Sequence, residues 1–171
     1  MSVESPLALD IWRMVSARRV LEGELLLADL PRLSSLLHDA QGSARYRIEF
    51  GRDALEVPFA KLSIEAGLPL VCQRSLQPFV APVIIEQALG LIRDEAGEAA
   101  LPEGYEALLV PEDGRMVAAE LVEDELILAV PVIPVAPGSE AVERDWPVRE
   151  EEVAAANPFA ALSALKSSDK N

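Results

Sequence analysis

The stretch Arg45-Tyr46-Arg47-Ile48-Glu49-Phe50 decides the fold class, because charged and apolar residues alternate along it. The charged residues at 45, 47 and 49 fall on one side, and the apolar residues at 46, 48 and 50 fall on the other. A period of two is the spacing of a strand with one solvated face and one buried face. The stretch therefore predicts a half-buried strand, the arrangement typical of an antiparallel sheet.

Further short segments with turn signals between them flank this strand on both sides. The predicted strands are residues 19–28, 45–50, 54–65, 70–75, 79–92 and 105–110. Pro58 favours a strand end or an edge position for its segment, because proline cannot donate to a ladder. Gly67-Leu68-Pro69 predicts an interruption of the strand pattern. Leu76-Gln77-Pro78 predicts the turn of a hairpin whose arms are residues 70–75 and 79–92.

Three helices are predicted in the same region. Residues 10–18 favour a short helix with Asp10 as its N-cap, and Asp29 before Pro31 favours a second one. Residues 116–130 form the clearest amphipathic pattern, with Glu120, Glu123 and Asp124 together on one side of the helical wheel. Glu125 projects toward the apolar side, where a carboxylate needs a partner.

These elements predict an α+β fold: a mainly antiparallel sheet, a meander that could close into a barrel, with a few packed helices. Residues 1–137 are predicted to form one compact domain, with a flexible acidic loop at about 94–104. An acidic linker at 138–156, a short C-terminal helix at 157–166 and a disordered end at 167–171 follow. Asn157 and Pro158 provide the N-cap and first position of that last helix, and Phe159 begins its apolar side.

Composition limits the location and chemistry of the protein. Half of the 171 residues are hydrophobic, which argues against wholesale disorder. No apolar run reaches the roughly 18 residues needed to span a bilayer, and the first ten residues lack a signal-peptide pattern. A single cysteine, Cys72, fits a reducing compartment. A cytoplasmic protein without a membrane partner is expected.

Charge is distributed unevenly along the chain. Residues 1–93 carry ten Lys/Arg against eleven Asp/Glu, a net of −1, whereas residues 94–171 carry five against eighteen, a net of −13. The acidic half would repel nucleic-acid phosphates, which argues against DNA as a partner, and would attract a basic protein. Acidity that only maintains solubility is the alternative.

The residues offer no recognisable catalytic set. His38 is the only histidine and is expected at a helix end, while Cys72 is either an inert buried thiol or a thiolate stabilised by Arg74. These two residues are too few for a structural zinc site, and the consecutive carboxylates of 123–125 point in different directions on a helix. We expect no enzyme activity, no metal and no cofactor.

Arginines in the first half are candidates for contacts with RNA phosphates. The candidates are Arg18, Arg19, Arg45, Arg47 and Arg74. Aromatic residues for base stacking are scarce and no RNA-recognition motif is present, so arginines that merely solubilise a sheet face remain the alternative.

Three segments in order resemble the YceD family. They are Leu70-Val71-Cys72-Gln73-Arg74 with Gln77-Pro78-Phe79; Leu101–Glu106 leading into Val122–Pro134 with its Glu123-Asp124-Glu125 run; and Asn157-Pro158-Phe159-Ala160-Ala161-Leu162 ending in Leu165-Lys166. The resemblance extends from about residue 6 to residue 166. Ser75 stands where the family often has a second cysteine, and residues 138–156 lack the cysteine pair of some relatives, so no zinc or redox role is carried over.

The resemblance implies a non-enzymatic role in the synthesis, processing or stability of 23S ribosomal RNA, and hence in large-subunit assembly. The arginine-bearing sheet would contact ribosomal RNA or the pre-ribosomal large subunit, and the acidic half would bind a basic ribosomal protein or assembly factor. Candidate partner-contact or family-motif residues are Cys72, Glu123, Asp124, Glu125, Asn157, Pro158 and Phe159. The alternatives are a metal-dependent RNA-processing enzyme that uses Glu123 or Asp124, and an adaptor that binds only protein.

Overall fold

The computed structural model describes residues 8–139. The elements in chain order are β1 (Ala8–Asp10), α1 (Ile11–Ser16), β2 (Val20–Leu26), α2 (Pro31–Ser34), β3 (Ser43–Arg52), β4 (Pro58–Val71), β5 (Pro78–Ile92), β6 (Glu106–Leu109), β7 (Arg115–Val117) and α3 (Ala118–Ala129). Short 3₁₀ helices cover Leu27–Asp29 and Glu95–Ala100. Except for residues 138 and 139, the expected linker, C-terminal helix and chain end lie outside the described residues.

A five-stranded sheet in the order β2-β3-β4-β5-β6 forms the frame of the described region. Its first three pairings are antiparallel, β5 pairs with β6 in parallel, and β1 pairs with β7 in a separate two-stranded sheet. The α+β class with mainly antiparallel strands is therefore confirmed. Within residues 8–139 the outermost strands, β2 and β6, are not paired with each other, so the sheet is open rather than a closed barrel.

The three helices cover one face of this sheet, which we call the inner face. The alternation at residues 45–50 is confirmed: Ile48 and Phe50 of β3 are buried, while Arg45 and Arg47 are exposed on the opposite, outer face. Ile48 and Phe50 join a core built from both layers. Its helical contributors are Ile11 and Val15 of α1, Leu33 of α2, and Leu121, Val122 and Leu126 of α3. The burial of these aliphatic side chains holds the two layers together.

Two local predictions are wrong for identifiable physical reasons. Asp29 does not cap α2: it ends a 3₁₀ turn, and Leu30 occupies the cap position ahead of Pro31. Gly67-Leu68-Pro69 does not interrupt the strand, because β4 continues to Val71 and pairs with β5 throughout. Pro69 is tolerated because its backbone groups, like those of its partner Val80, point away from the β4–β5 ladder, so its missing N–H is not needed there. Its carbonyl instead accepts a hydrogen bond from the amide N of His38 at 2.8 Å.

The second half departs from the sequence predictions at two places, the direction of β6 and the start of α3. The strand at 105–110 is present as β6 but runs parallel to β5. Residues 115–117, partly assigned to the helix from sequence, form β7, so α3 begins at Ala118. The stretch at 94–104 contains a 3₁₀ helix, where Asp94 caps the backbone N–H of Gly97.

Candidate binding surfaces

The outer face of the sheet carries Arg45 and Arg47, and both arginines are neutralised there. The guanidinium of Arg45 lies 2.8 Å from Glu65 Oε2 on β4, and Arg47 pairs with Glu22 on β2. Strand register brings the charges together, since residue 45 is opposite 65 and residue 47 is opposite 22. Exposed pairs of this kind contribute little to stability.

The outer face as a whole is weakly acidic. Its cations are Arg45, Arg47 and Lys61; its anions are Glu22, Glu24, Glu49, Glu65 and Glu86, a net of −2 from three against five. A phosphate backbone approaching this face would meet carboxylates more often than cationic groups. The alternation therefore brings Arg45 and Arg47 together without creating a cationic surface.

The other three candidate arginines lie away from this pair, at two opposite ends of the sheet. Arg18 and Arg19 are exposed at the start of β2, and the carbonyl of Arg19 accepts a hydrogen bond from the amide N of Phe50 at the far end of β3. Arg74 lies in the loop after β4, at the opposite end of the sheet, where its Nη1 donates to the carbonyl O of Ser139 at 3.2 Å. The structure does not assemble the five arginines into one patch.

Cys72 is the centre of a contact between that loop and the segment that follows α3. Its Sγ accepts a hydrogen bond from the amide N of Ala136 at 3.3 Å and lies 3.4 Å from Ser139 Oγ. The amide N of Gln73 donates to the carbonyl O of Pro134 at 2.8 Å. Hydrogen bonds from Ser139, Ser75 and Ala136 lower the pKa of the Cys72 thiol to about 6, against the opposing effect of burial. The side chain is fully buried, so its first role is to hold the 131–139 segment in place.

Glu123, rather than Glu125, is the buried carboxylate of α3. Its Oε1 accepts from the backbone N of Arg32 at 2.7 Å and of Leu33 at 3.1 Å, and its Oε2 accepts from Arg32 Nε at 2.9 Å. It therefore caps the first turn of α2 from a neighbouring helix, where donors lack intrahelical partners. Asp124 also binds Arg32, at 2.5 Å. The helical wheel groups Glu123 with Glu120 and Asp124, away from the apolar side of α3, yet the residue is buried because α2 packs there.

Glu125 is half-buried and lies among other carboxylates. Burial, followed by the negative charges of Glu106 and Asp124, raises the pKa of Glu125 above its usual value. In residues 8–139 it forms no ion pair. This carboxylate therefore lies in a locally acidic environment that a cation would neutralise.

The described residues do not assemble a metal site from these groups. Across residues 8–139, no three His, Cys, Asp or Glu side chains lie where they could hold one ion. Glu123 and Asp124 are instead occupied by Arg32, which sequence reasoning did not select. The only signal for Arg32 in the sequence was its position after the proline that begins α2. That position does not indicate a partner about ninety residues later. Asn157, Pro158 and Phe159 lie outside the described residues.

Comparisons with known proteins agree on one family. Residues 60–166 match the family model described as Large ribosomal RNA subunit accumulation protein YceD. The curated protein of that name from Haemophilus influenzae is 29% identical over 169 residues, covering 96% of this chain and 97% of its own length. No solved structure gives a significant match. In the described part of the chain, no helix is both long enough and apolar enough to cross a bilayer.

Proposed function

The chain belongs to the YceD family, and from this premise we propose that it is a non-enzymatic accessory factor for the accumulation of 23S ribosomal RNA. The role covers synthesis, processing or stability of that RNA during large-subunit assembly in the cytoplasm. The relative from Haemophilus influenzae is named for large ribosomal RNA subunit accumulation. The factor acts by binding, either to a basic ribosomal or assembly protein or to the RNA of the pre-ribosomal large subunit.

The charge distribution of the folded region supports binding to a basic protein most directly. Residues 8–93 carry ten cations and ten anions, while residues 94–139 carry eleven anions and Arg115 alone, a net of −10. Several of these acids are exposed on successive elements, including Glu95, Glu98, Glu106 and Glu120. A surface of one sign steers an oppositely charged partner toward it. Ribosomal proteins that bind RNA have the cationic character that this surface selects.

Direct RNA contact has a narrower basis in the structure. Arg45 and Arg47 are paired with glutamates, and Arg74 is engaged by Ser139, so Arg18 and Arg19 are the arginines of the candidate set most open to phosphate. Two adjacent cations provide a weak electrostatic contact, since binding strengthens with each phosphate neutralised. We therefore rank RNA contact below protein contact. The family-motif residues 157–159 remain candidate contacts for either partner, whereas Cys72 is fully buried and would act only through the segment that it holds.

The cellular role is tested by depleting the protein in the organism that encodes it and measuring the ratio of 23S to 16S ribosomal RNA. We expect the ratio to fall and to recover when the wild-type chain is restored. An unchanged ratio during active growth would contradict the accessory role. Sedimentation of the tagged protein tests the binding part, because it should co-migrate with large-subunit precursors rather than remain only in free fractions.

Ultraviolet crosslinking in cells distinguishes the two modes of binding. Tagged wild type is compared with Arg45→Glu/Arg47→Glu and, as a charge-matched variant at a different place, Arg18→Glu/Arg19→Glu. Enrichment of 23S precursor reads that is lost only in the first variant would assign RNA contact to the sheet face. Loss only in the second variant would assign it to the start of β2, where the more open arginines lie. No enrichment over an untagged control would place the function in protein binding alone.

A further inference from the structure

The edge of β5 between Pro78 and Ala88 is the longest strand edge that lies open within residues 8–139. β6 pairs only with Leu89–Ile92, so the preceding eleven residues of β5 have a strand neighbour on one side only, β4. The direction of their backbone groups follows from Pro69, whose carbonyl is bound by His38 and thus points away from β5. Its antiparallel partner Val80 must then point its own N–H and C=O toward the open edge.

The same alternation applies to every second residue along this edge. The backbone groups of residues 78, 80, 82, 84 and 86 face outward, and Pro78 and Pro82 lack the N–H that would be exposed. The N–H groups of Val80, Ile84 and Glu86 remain, and none is hydrogen bonded to another of the described residues. Prolines at such positions limit unselective pairing while leaving three donors and all the carbonyls available.

The side chains at this edge give it a definite chemical character. Val80 and Ile84 are 64% and 77% exposed, which is unusual for aliphatic residues on a strand. Glu86 is exposed two residues further along, and Gln87 Nε2 donates to Glu106 Oε2 at 2.5 Å at the start of β6. Glu125 of α3 lies near Glu106, and the negative charge of Glu106 contributes to the raised pKa of Glu125. In the strand register the nearest cation to Ile84 is Arg45, which is already bound to Glu65.

We propose that the free edge of β5 binds an extended, basic segment of a partner protein as an added strand. Backbone hydrogen bonds to Val80, Ile84 and Glu86 supply the pairing, as in other cases of strand addition to a sheet edge. On the outer face, aliphatic side chains of the partner lie beside Val80 and Ile84 and a Lys or Arg meets Glu86. On the inner side, Lys or Arg side chains of the partner meet Glu106 and Glu125. This inference rests on the proposed protein-binding role and narrows it to one edge.

Other occupants of the edge fit the charges less well. A nucleic-acid strand would bring its phosphates against Glu86 and Glu106, whose charges repel them. A second copy of this chain would bring together two molecules that each carry a net charge of −14. A basic segment is the one class of these three whose charge is complementary to that of the edge.

The experiment uses the full chain and a synthetic nine-residue peptide of the repeat Val-Val-Lys-Lys as the probe, which places both residue types on each face of an extended strand. Hydrogen exchange measured by NMR should show slower exchange of the Val80, Ile84 and Glu86 amides when the peptide is added. Ile84→Pro removes one outward donor without removing a β4–β5 hydrogen bond, and it should weaken binding about fivefold to tenfold, the effect of about one net hydrogen bond. Ile84→Val keeps both that donor and a β-branched aliphatic side chain, and it serves as the matched control.

Charge is tested in the same way with Glu86→Lys, and with Glu49→Lys on β3 as the control of equal charge change. Peptide binding that weakens with Glu86→Lys and Ile84→Pro but not with their controls supports the proposal. Binding without slower exchange at the edge, or equal weakening by Glu49→Lys, overturns it. A wild-type dimer that Ile84→Pro dissociates also overturns it, by giving the edge to a second copy.

The failure of this inference can be told apart from the failure of the proposed function. If Ile84→Pro restores the 23S to 16S ratio as fully as wild type does in depleted cells, the edge is not the binding site while the accessory role stands. If wild type itself does not restore the ratio, the accessory role fails, and the peptide measurement still reports on the edge.

Discussion

Glu123 turns its carboxylate from α3 toward the first turn of α2, where it accepts hydrogen bonds from two backbone N–H groups and from Arg32. The residue is only 4% exposed, so these partners replace the water that it loses on folding. A single side chain thereby joins two helices that are about ninety residues apart in sequence. The interaction is a structural one, and the same carboxylate is not free for a catalytic role.

Replacing Glu123 by alanine should lower the free energy of unfolding by about 2–3 kcal/mol, since two backbone donors of α2 lose their acceptor. The measurement is equilibrium unfolding in urea. Glu120→Ala is the control, because that residue is exposed on the same helix and its loss should cost less than about 0.5 kcal/mol. Equal effects of the two substitutions would mean that Glu123 does not hold α2 in place.

Glu125 should make stability depend on pH in a direction opposite to that of a paired acid. Its pKa is raised in the folded protein by burial, Glu106 and Asp124, so the folded state binds the proton more tightly than the unfolded chain does. The charged form therefore destabilises the fold above that pKa, and this loss is relieved as the pH falls toward the usual value of 4.5.

Glu125→Gln removes the charge and should raise the free energy of unfolding at neutral pH. The gain over wild type should shrink as the pH approaches 4.5, where the wild-type carboxyl is protonated in the folded state. Urea unfolding of both proteins across this range measures the difference, with Glu120→Gln as the control. A gain that stays constant with pH would show that the amide acts through packing rather than through charge.

The exchange of roles between Glu123 and Glu125 shows what a helical wheel leaves out. The wheel correctly groups Glu120, Glu123 and Asp124 on one side of α3, but it does not say what packs there. In the structure α2 covers part of that side, and its free N–H groups and Arg32 make burial of Glu123 favourable. An acidic run predicts that some carboxylate needs a partner; the tertiary arrangement decides which one.

Two neighbouring proline substitutions test whether the backbone N–H and C=O groups of β5 point alternately toward β4 and toward the open edge. Val83 pairs with Ala66 at a position whose backbone groups face β4, whereas Ile84 faces the open edge. Val83→Pro should therefore cost at least about 2 kcal/mol more than Ile84→Pro, because it removes a ladder hydrogen bond and leaves a carbonyl of β4 unpaired. Urea unfolding of the two variants is the measurement, and a reversed order would show that the strand register differs by one residue.

Strands with a regular period of two were predictable, and the departures arose where long-range pairing overrode local signals. β3 and the starts of β2 and β5 follow from alternation and turn residues, as does the cap of α1, where Asp10 Oδ1 accepts from Arg13 N at 3.0 Å. Gly67-Leu68-Pro69 predicts the end of a strand, yet a proline fits within a strand where the N–H that it lacks would point away from the neighbouring strand. The thirteen residues from Arg93 to Tyr105 carry a signal that could have been used: parallel strands need a connection of about a dozen residues.

At the scale of the whole molecule, charge was more predictable than any site. The sequence shows that the acids concentrate after residue 93, and the structure leaves nine of the eleven acids in 94–139 exposed. The candidate arginines, by contrast, are divided between two ends and one face of the sheet, because strand pairing, not chain proximity, determines which side chains meet. Glutamates across the strands neutralise Arg45 and Arg47, a pairing that only the register reveals.

The charge split leads to a final prediction about polymers of opposite sign. The full chain should bind poly-L-lysine at low salt and lose this binding as salt is raised, because exposed charges are screened within about 10 Å at 0.1 M. Binding of a single-stranded RNA homopolymer should be much weaker under the same conditions. Fluorescence anisotropy of the labelled protein measures both.

Glu95→Gln/Glu98→Gln/Glu103→Gln should weaken poly-L-lysine binding more than Glu22→Gln/Glu24→Gln/Glu49→Gln, which removes the same charge from the outer face. If the two triple variants behave alike, net charge alone governs the attraction, and tighter binding to RNA than to poly-L-lysine would overturn the preference for a basic protein partner.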